Sequence, residues 1–200
     1  MNKPVLYLAS QSPRRLQLLR QLGLEPTLLL ADHQEDVEAL EIQQPKERPR
    51  SYVERVALLK WQAAFDRLKA RGLPLAPILC SDTTVSLAGQ ILGKPNSSAE
   101  AVKMLKLLSG KQHEVLTSVV VGRLRPSLLT SRSLVTFRVI SLTEIRQYVA
   151  SGEPVGKAGS YAIQGPAQRW ISDLRGSYSG VMGLPLFETD QLLRKFQIRI

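Results

Sequence analysis

Residues 5–23, VLYLASQSPRRLQLLRQLG, read as a short strand, a serine-rich turn and a helix that opens on two arginines. Val5 to Leu8 form an apolar, β-favouring run, which Ser10, Gln11, Ser12 and Pro13 interrupt with turn chemistry. Ser12 suits a helix N-cap and Pro13 the first helical position; Leu16, Leu19 and Leu22 recur on one face, and Gly23 marks the stop. A strand feeding straight into a helix points to an α/β or α+β architecture. Arg14 and Arg15 stand at the positive end of the helix dipole, an unfavourable place for cations unless an anion lies between them and the unpaired backbone N–H groups. A phosphate fits that position; two solvated surface arginines are the alternative.

The rest of the chain bounds this idea. With 200 residues, 44% hydrophobic and 22% charged, the composition is that of a folded globular protein, read here as one domain over 1–200 with two lobes. No apolar run approaches membrane-spanning length and no leader-like stretch opens the chain, so the expected location is the cytoplasm and no membrane partner is expected. One cysteine excludes an internal disulfide, and with two distant histidines it cannot build a standard structural zinc site. A metal would therefore need oxygen ligands. The net charge of +10 calls for an anionic partner. Basic residues are spread from Arg14 to Arg199 and only 6% of residues are aromatic, which favours a small phosphorylated ligand over nucleic acid.

Strands and helices alternate onward. Thr27 to Ala31 reads as a strand, and 32–50 as a long polar loop. Tyr52, Val56, Leu59 and Ala63 predict a helix over 51–69. Ile78 to Cys80 reads as a short strand, followed by a hairpin of 84–87 and 90–92 around Ala88-Gly89. Ser97 with Glu100, and Ser141 with Glu144, have capping-box spacing. Between them, 114–124 and 129–140 read as paired antiparallel strands. Seven glycines punctuate the final fifty residues before a helix over 185–196.

Candidate chemistry gathers at a few positions. Asp82 follows the apolar strand, where ligand crevices open in parallel sheets, and serves either as a catalytic acid or as a turn cap. Lys60 lies at the edge of an apolar helical stripe, where its amine either snorkels to solvent or meets a buried anion. Lys94 sits in a glycine-entered, proline-stopped turn, and Glu35 is an acid in the polar loop. Mg²⁺ or Mn²⁺ takes one or two carboxylates plus substrate oxygens, which Glu35 and Asp82 could supply unless they are ordinary surface and turn residues. No P-loop, HExxH helix, GxSxG elbow or GxGxxG fingerprint is present.

The segments LASQSPRR (8–15), YVERVALLK (52–60), SDTTV (81–85), LGKP (92–95), HEVLTSV (113–119), GEPVGKAGSYAIQG (152–165) and GSYSGVMGLPLFET (176–189) occur in one order over nearly the whole chain. Together they resemble the Maf family of nucleoside triphosphate pyrophosphatases. The resemblance implies an α/β fold related to the inosine triphosphate pyrophosphatases: an elongated mixed twisted sheet flanked by helices, with two lobes around a central cleft. It further implies hydrolysis of a nucleoside triphosphate to monophosphate and pyrophosphate with a divalent cation. Carried over, Asp82 is the proton acceptor for water, and Ser10, Ser12, Arg14, Arg15, Glu35, Lys60 and Lys94 surround phosphate and metal. Arg14, Thr83 and Gln164 match the branch acting on dTTP and UTP, with Gln164 placed to read the pyrimidine edge. Family members are often dimers, so a homodimer is expected. A broader triphosphate pyrophosphatase, a nucleotide-binding regulator without turnover and a nucleic-acid-binding module remain as alternatives.

Overall fold

The structure is a computed structural model that describes residues 5–33, 35–198 and 200. One mixed sheet organises it. Strand β1 (Tyr7–Leu8) lies between β2 (Thr27–Leu28) and β3 (Ile78–Leu87), parallel to both. Beyond β3, the strands β5 (Gln112–Gly122), β6 (Pro126–Phe137) and β7 (Ile171–Arg175) continue the sheet antiparallel, and β4 (Gln90–Leu92) folds back on the end of β3. The parallel part is built by the strand–turn–helix unit of residues 5–23, since parallel neighbours need a crossover.

Helix α2 (Pro49–Ala70) covers one face of the sheet. The even-numbered side chains Ile78, Cys80 and Val120 point toward it and pack with Trp61, Ala64 and Leu68. Each large side chain buried there contributes about 1.5–3 kcal/mol. The odd-numbered residues face the other way, where period-two alternation splits them between two cores. Leu79, Val119 and Val121 pack with α1 (Pro13–Gln21), α5 (Tyr178–Met182) and α6 (Leu186–Arg194). Val85, Val115 and Val135 pack with α3 (Ser98–Leu108), α4 (Leu142–Ala150) and Trp170. Two cores thus share one face of the sheet, with Ile171, Leu174 and Val181 packed against both. Among the described residues no helix is long and apolar enough to cross a membrane.

Three readings change. The stretch 78–87 is one ten-residue strand rather than two pieces, because Ser81, Asp82 and Thr83 keep strand pairing with β5 throughout. The loop 32–50 carries a 3₁₀ turn, Glu38–Glu41. The β5–β6 pair starts and ends earlier than its apolar pattern suggests, because Gly122 lets the chain turn tightly: a Cβ there would lie 2.7 Å from the Pro126 Cα. Of the two capping boxes, Ser141 with Glu144 closes fully. At α3, Ser97 accepts from the Glu100 N–H while the Glu100 carboxylate turns to Asn96.

Candidate active site

A gap in the strand ladder makes the site. β1 follows β3 only to Leu79, whose carbonyl accepts from the Ala9 N–H at 3.0 Å, and β4 joins only at Val85. Between these points no described strand covers that edge of β3. Because Leu79 and Val85 bond toward this edge, strand alternation turns the backbone N–H and C=O of Ser81 and Thr83 into the gap. Asp82 is thus not beyond the end of a strand; it lies mid-strand, at the carboxyl end of β1. The α1 N-terminus arrives at the same place. Ser12 occupies its N-cap position without making a side-chain cap, which leaves the first-turn N–H groups for an incoming acceptor.

The resulting cleft holds about 460 Å³, within the range of small-molecule sites. The structure brings Ser10, Ser12, Arg14, Arg15, Lys60, Asp82, Thr83 and Lys94 to its walls. Lys60 does not snorkel. Its Nζ donates to Asp82 Oδ1 at 2.6 Å and to Glu41 Oε1 at 2.7 Å, and Lys94 Nζ lies 2.7 Å from Glu41 Oε2. Burial alone would lower the Lys60 ammonium, but the Asp82 and Glu41 charges outweigh it and the net direction is upward. For Glu41, burial opposes ionisation, while Lys60 and Lys94 together hold its carboxyl below the usual range. Arg15 is fixed by two bonds, Nε to Gly183 O at 2.8 Å and Nη1 to Ser10 Oγ at 3.0 Å. Lys157, on the opposite wall, donates from Nζ to the Glu153 carbonyl.

Two expectations are corrected. Glu35 does not enter this cluster: its carboxylate is bidentate on Arg67, at 2.7 and 2.5 Å. Those bonds hold the Glu35 carboxyl below its ordinary value. Glu41 takes the place expected for it. The reason lies on α2, where Lys60 and Arg67 are seven residues apart on the buried face, so each needs its own anion. Gln164 is exposed and absent from the cleft lining. The turn closed by the Gly165 N–H on Ala162 O, at 3.2 Å, carries it outward.

The donor set suits a hard divalent cation. Asp82 and Glu41 share one ammonium, and Thr84 Oγ1, on the same strand face as Asp82, is buried without a hydrogen-bond partner. Two carboxylates completed by phosphate oxygens and water are enough for Mg²⁺. No group of three or more acidic, histidine or cysteine side chains among the described residues offers an all-protein cage.

The far wall carries Tyr161, whose hydroxyl meets His113 Nε2 at 2.8 Å. Burial pushes the His113 imidazole down from 6.5 to about 4. Between those values the unfolded chain binds a proton that the fold does not. Stability should therefore be complete above pH 6.5 and fall as pH drops toward 4, by about 1.4 kcal/mol per unit from this residue. Denaturant titrations across that range should show a smaller slope in His113→Gln; an equal slope in both proteins would refute the assignment.

A family model described as Maf-like protein matches residues 5–196. A dTTP/UTP pyrophosphatase from Cupriavidus pinatubonensis is 58% identical over 195 residues, covering 97% of this chain and 98% of that protein. Another, from Albidiferax ferrireducens, is 56% identical over 196 residues, covering 98% of each. Among solved structures, a HAM1 protein from Coxiella burnetii gives a TM-score of 0.43 at 18% identity, over 67% of this chain and 73% of its own; that likeness adds nothing to the fold described above.

Proposed function

The chain belongs to the Maf-like family, and on that premise we propose that it is a nucleoside triphosphate pyrophosphatase that hydrolyses dTTP and UTP to the monophosphate and pyrophosphate. The observation that carries this reading is the Lys60 bridge between Asp82 and Glu41, beside a helix N-terminus with two arginines, in a cleft of nucleotide size.

The chemistry follows from the positions. The triphosphate lies with its oxygens toward the α1 N–H groups, Arg14, Arg15 and Lys94, which neutralise charge as it builds on the leaving pyrophosphate. Water attacks the α-phosphorus, the bond from that phosphorus to the β-phosphoryl oxygen breaks, and pyrophosphate departs. Asp82 accepts the water proton; with Oδ1 on Lys60, the carboxylate is held in one orientation and Oδ2 is left for that role. Asp82 and Glu41 would hold the divalent cation, which when bound supplies further charge neutralisation at the phosphate oxygens. Lys94 gives up Glu41 in favour of phosphate. The surplus positive charge of the chain speeds capture of a polyanion. The same reading places the enzyme in the cytoplasm as a homodimer.

A panel of nucleoside triphosphates with Mg²⁺ or Mn²⁺ tests it. Pyrophosphate release should be fastest with dTTP and UTP, at least about tenfold above the purine triphosphates in kcat/KM. Equal turnover of all of them would replace this reading with a broad pyrophosphatase.

A further inference from the structure

The segment 176–189 lends the cleft only Val181, Met182 and Gly183, none of them charged. Its helix α5 has five residues, too few to stand without anchorage. The sheet supplies that anchorage through hydroxyls on three adjacent strands. Ser133 on β6 accepts from the Ser177 N–H at 3.0 Å, Thr117 on β5 donates to Gly180 O at 2.7 Å, and Ser81 on β3 donates to Gly183 O at 2.9 Å. Each of these three side chains is 1% exposed. Burying a hydroxyl costs free energy unless it is bonded, so apolar residues would serve a plain core better. Here the hydroxyls fix a backbone.

That backbone ends at Gly183. Its N–H closes α5 on Ser179 O at 3.1 Å and Gly180 O at 2.9 Å, at φ +118°, a conformation that favours glycine. Its carbonyl has two lone pairs and two donors, Ser81 Oγ at 2.9 Å and Arg15 Nε at 2.8 Å. With Nη1 on Ser10 Oγ, the guanidinium is held at two points, and among the described residues no acceptor meets Nη2. We propose that Gly183 and Ser81 are positioning residues that act through Arg15: Ser81 sets the Gly183 carbonyl, and that carbonyl turns the Nη2 edge of Arg15 toward the triphosphate. This rests on the cleft being the triphosphate site. A Cβ at Gly183 would lie 3.6 Å from Arg15 Nε, an ordinary contact. Alanine there meets backbone strain rather than a clash, and relieving it rotates the peptide, carbonyl included.

The test is a double-mutant cycle on Arg15→Ala, Gly183→Ala and Ser81→Ala, with each of the last two also combined with the first. Two quantities are read: kcat/KM for UTP, and affinity for its α,β-imido analogue, which resists cleavage and so reports on slow variants. Arg15→Ala should lose about 100-fold in kcat/KM, Gly183→Ala at least about tenfold and Ser81→Ala about three- to tenfold, with affinity for the analogue falling in step. Once Arg15 is gone, either second substitution should change both quantities by less than about twofold. A merely structural role would instead make the losses multiply. Losses that multiply, or wild-type values in a folded Gly183→Ala or Ser81→Ala, overturn the proposal, and Ser81→Ala decides alone if Gly183→Ala does not fold. A wild type that turns over no triphosphate and binds no analogue removes the pyrophosphatase reading itself, and this inference with it.

Discussion

Asp82→Asn should lower turnover of dTTP and UTP by about 10³-fold while nucleotide binding persists. Asparagine preserves the side-chain volume and can still meet Lys60, but it cannot take a proton from water at neutral pH. The loss should fall on kcat, because the groups expected to hold the triphosphate, Arg14, Arg15 and the α1 N-terminus, are untouched. Binding should tighten if anything, since one negative charge leaves a cleft that receives a polyanion. Lys60 retains Glu41 at 2.7 Å, so the ammonium is not orphaned. The fold should survive, with a loss of about 1–3 kcal/mol in denaturant unfolding. Near-normal kcat in a folded Asp82→Asn would remove the proton-acceptor role.

The second large effect separates two glutamates that the sequence alone does not tell apart. Glu41→Gln should reduce turnover by about 100-fold and raise the Mg²⁺ concentration needed for half-maximal activity, because it removes one of the two carboxylates at the Lys60 bridge. Glu35→Gln should leave turnover within about threefold and instead cost about 1–2 kcal/mol of stability, since the Arg67 guanidinium loses its bidentate carboxylate partner while keeping the Leu29 carbonyl at 2.8 Å. Steady-state rates against Mg²⁺ concentration, paired with denaturant melts, read both. The reverse assignment, with Glu35→Gln inactive and Glu41→Gln normal, would return the metal role to Glu35.

Much of this architecture is legible before any coordinates. The first nineteen residues of the described chain already contain the parallel strand, the turn and the cationic helix start, because turn residues and apolar period are local signals. Ser10, Arg14, Arg15, Lys60 and Lys94 all come to one cleft. What escaped the sequence is what depends on partners far along the chain. The polar run Ser81-Asp82-Thr83 looks like a break, yet it stays in the strand because β5 pairs it and the gap left by β1 and β4 accommodates the polar groups. Glu41 escaped because 32–50 offers several acids in a loop without a dominant period. The missing clue was on α2: Arg67 recurs seven residues after Lys60, so the helix buries two cations and the loop must supply an anion to each. Gln164 escaped for a different, local reason: the turn at 162–165, closed by the Gly165 N–H on Ala162 O, sets its direction. The Arg15–Gly183 bond joins residues 168 positions apart, which no local pattern reports.

The most direct measurement follows the phosphorus of UTP by ³¹P NMR while the wild-type protein acts on it with Mg²⁺. UMP and pyrophosphate should appear in equal amounts, with no UDP and no early orthophosphate, and Asp82→Asn should leave the spectrum unchanged over the same time. Formation of UDP and orthophosphate, or a UTP spectrum that wild type does not alter, would contradict cleavage between the α- and β-phosphates at this site.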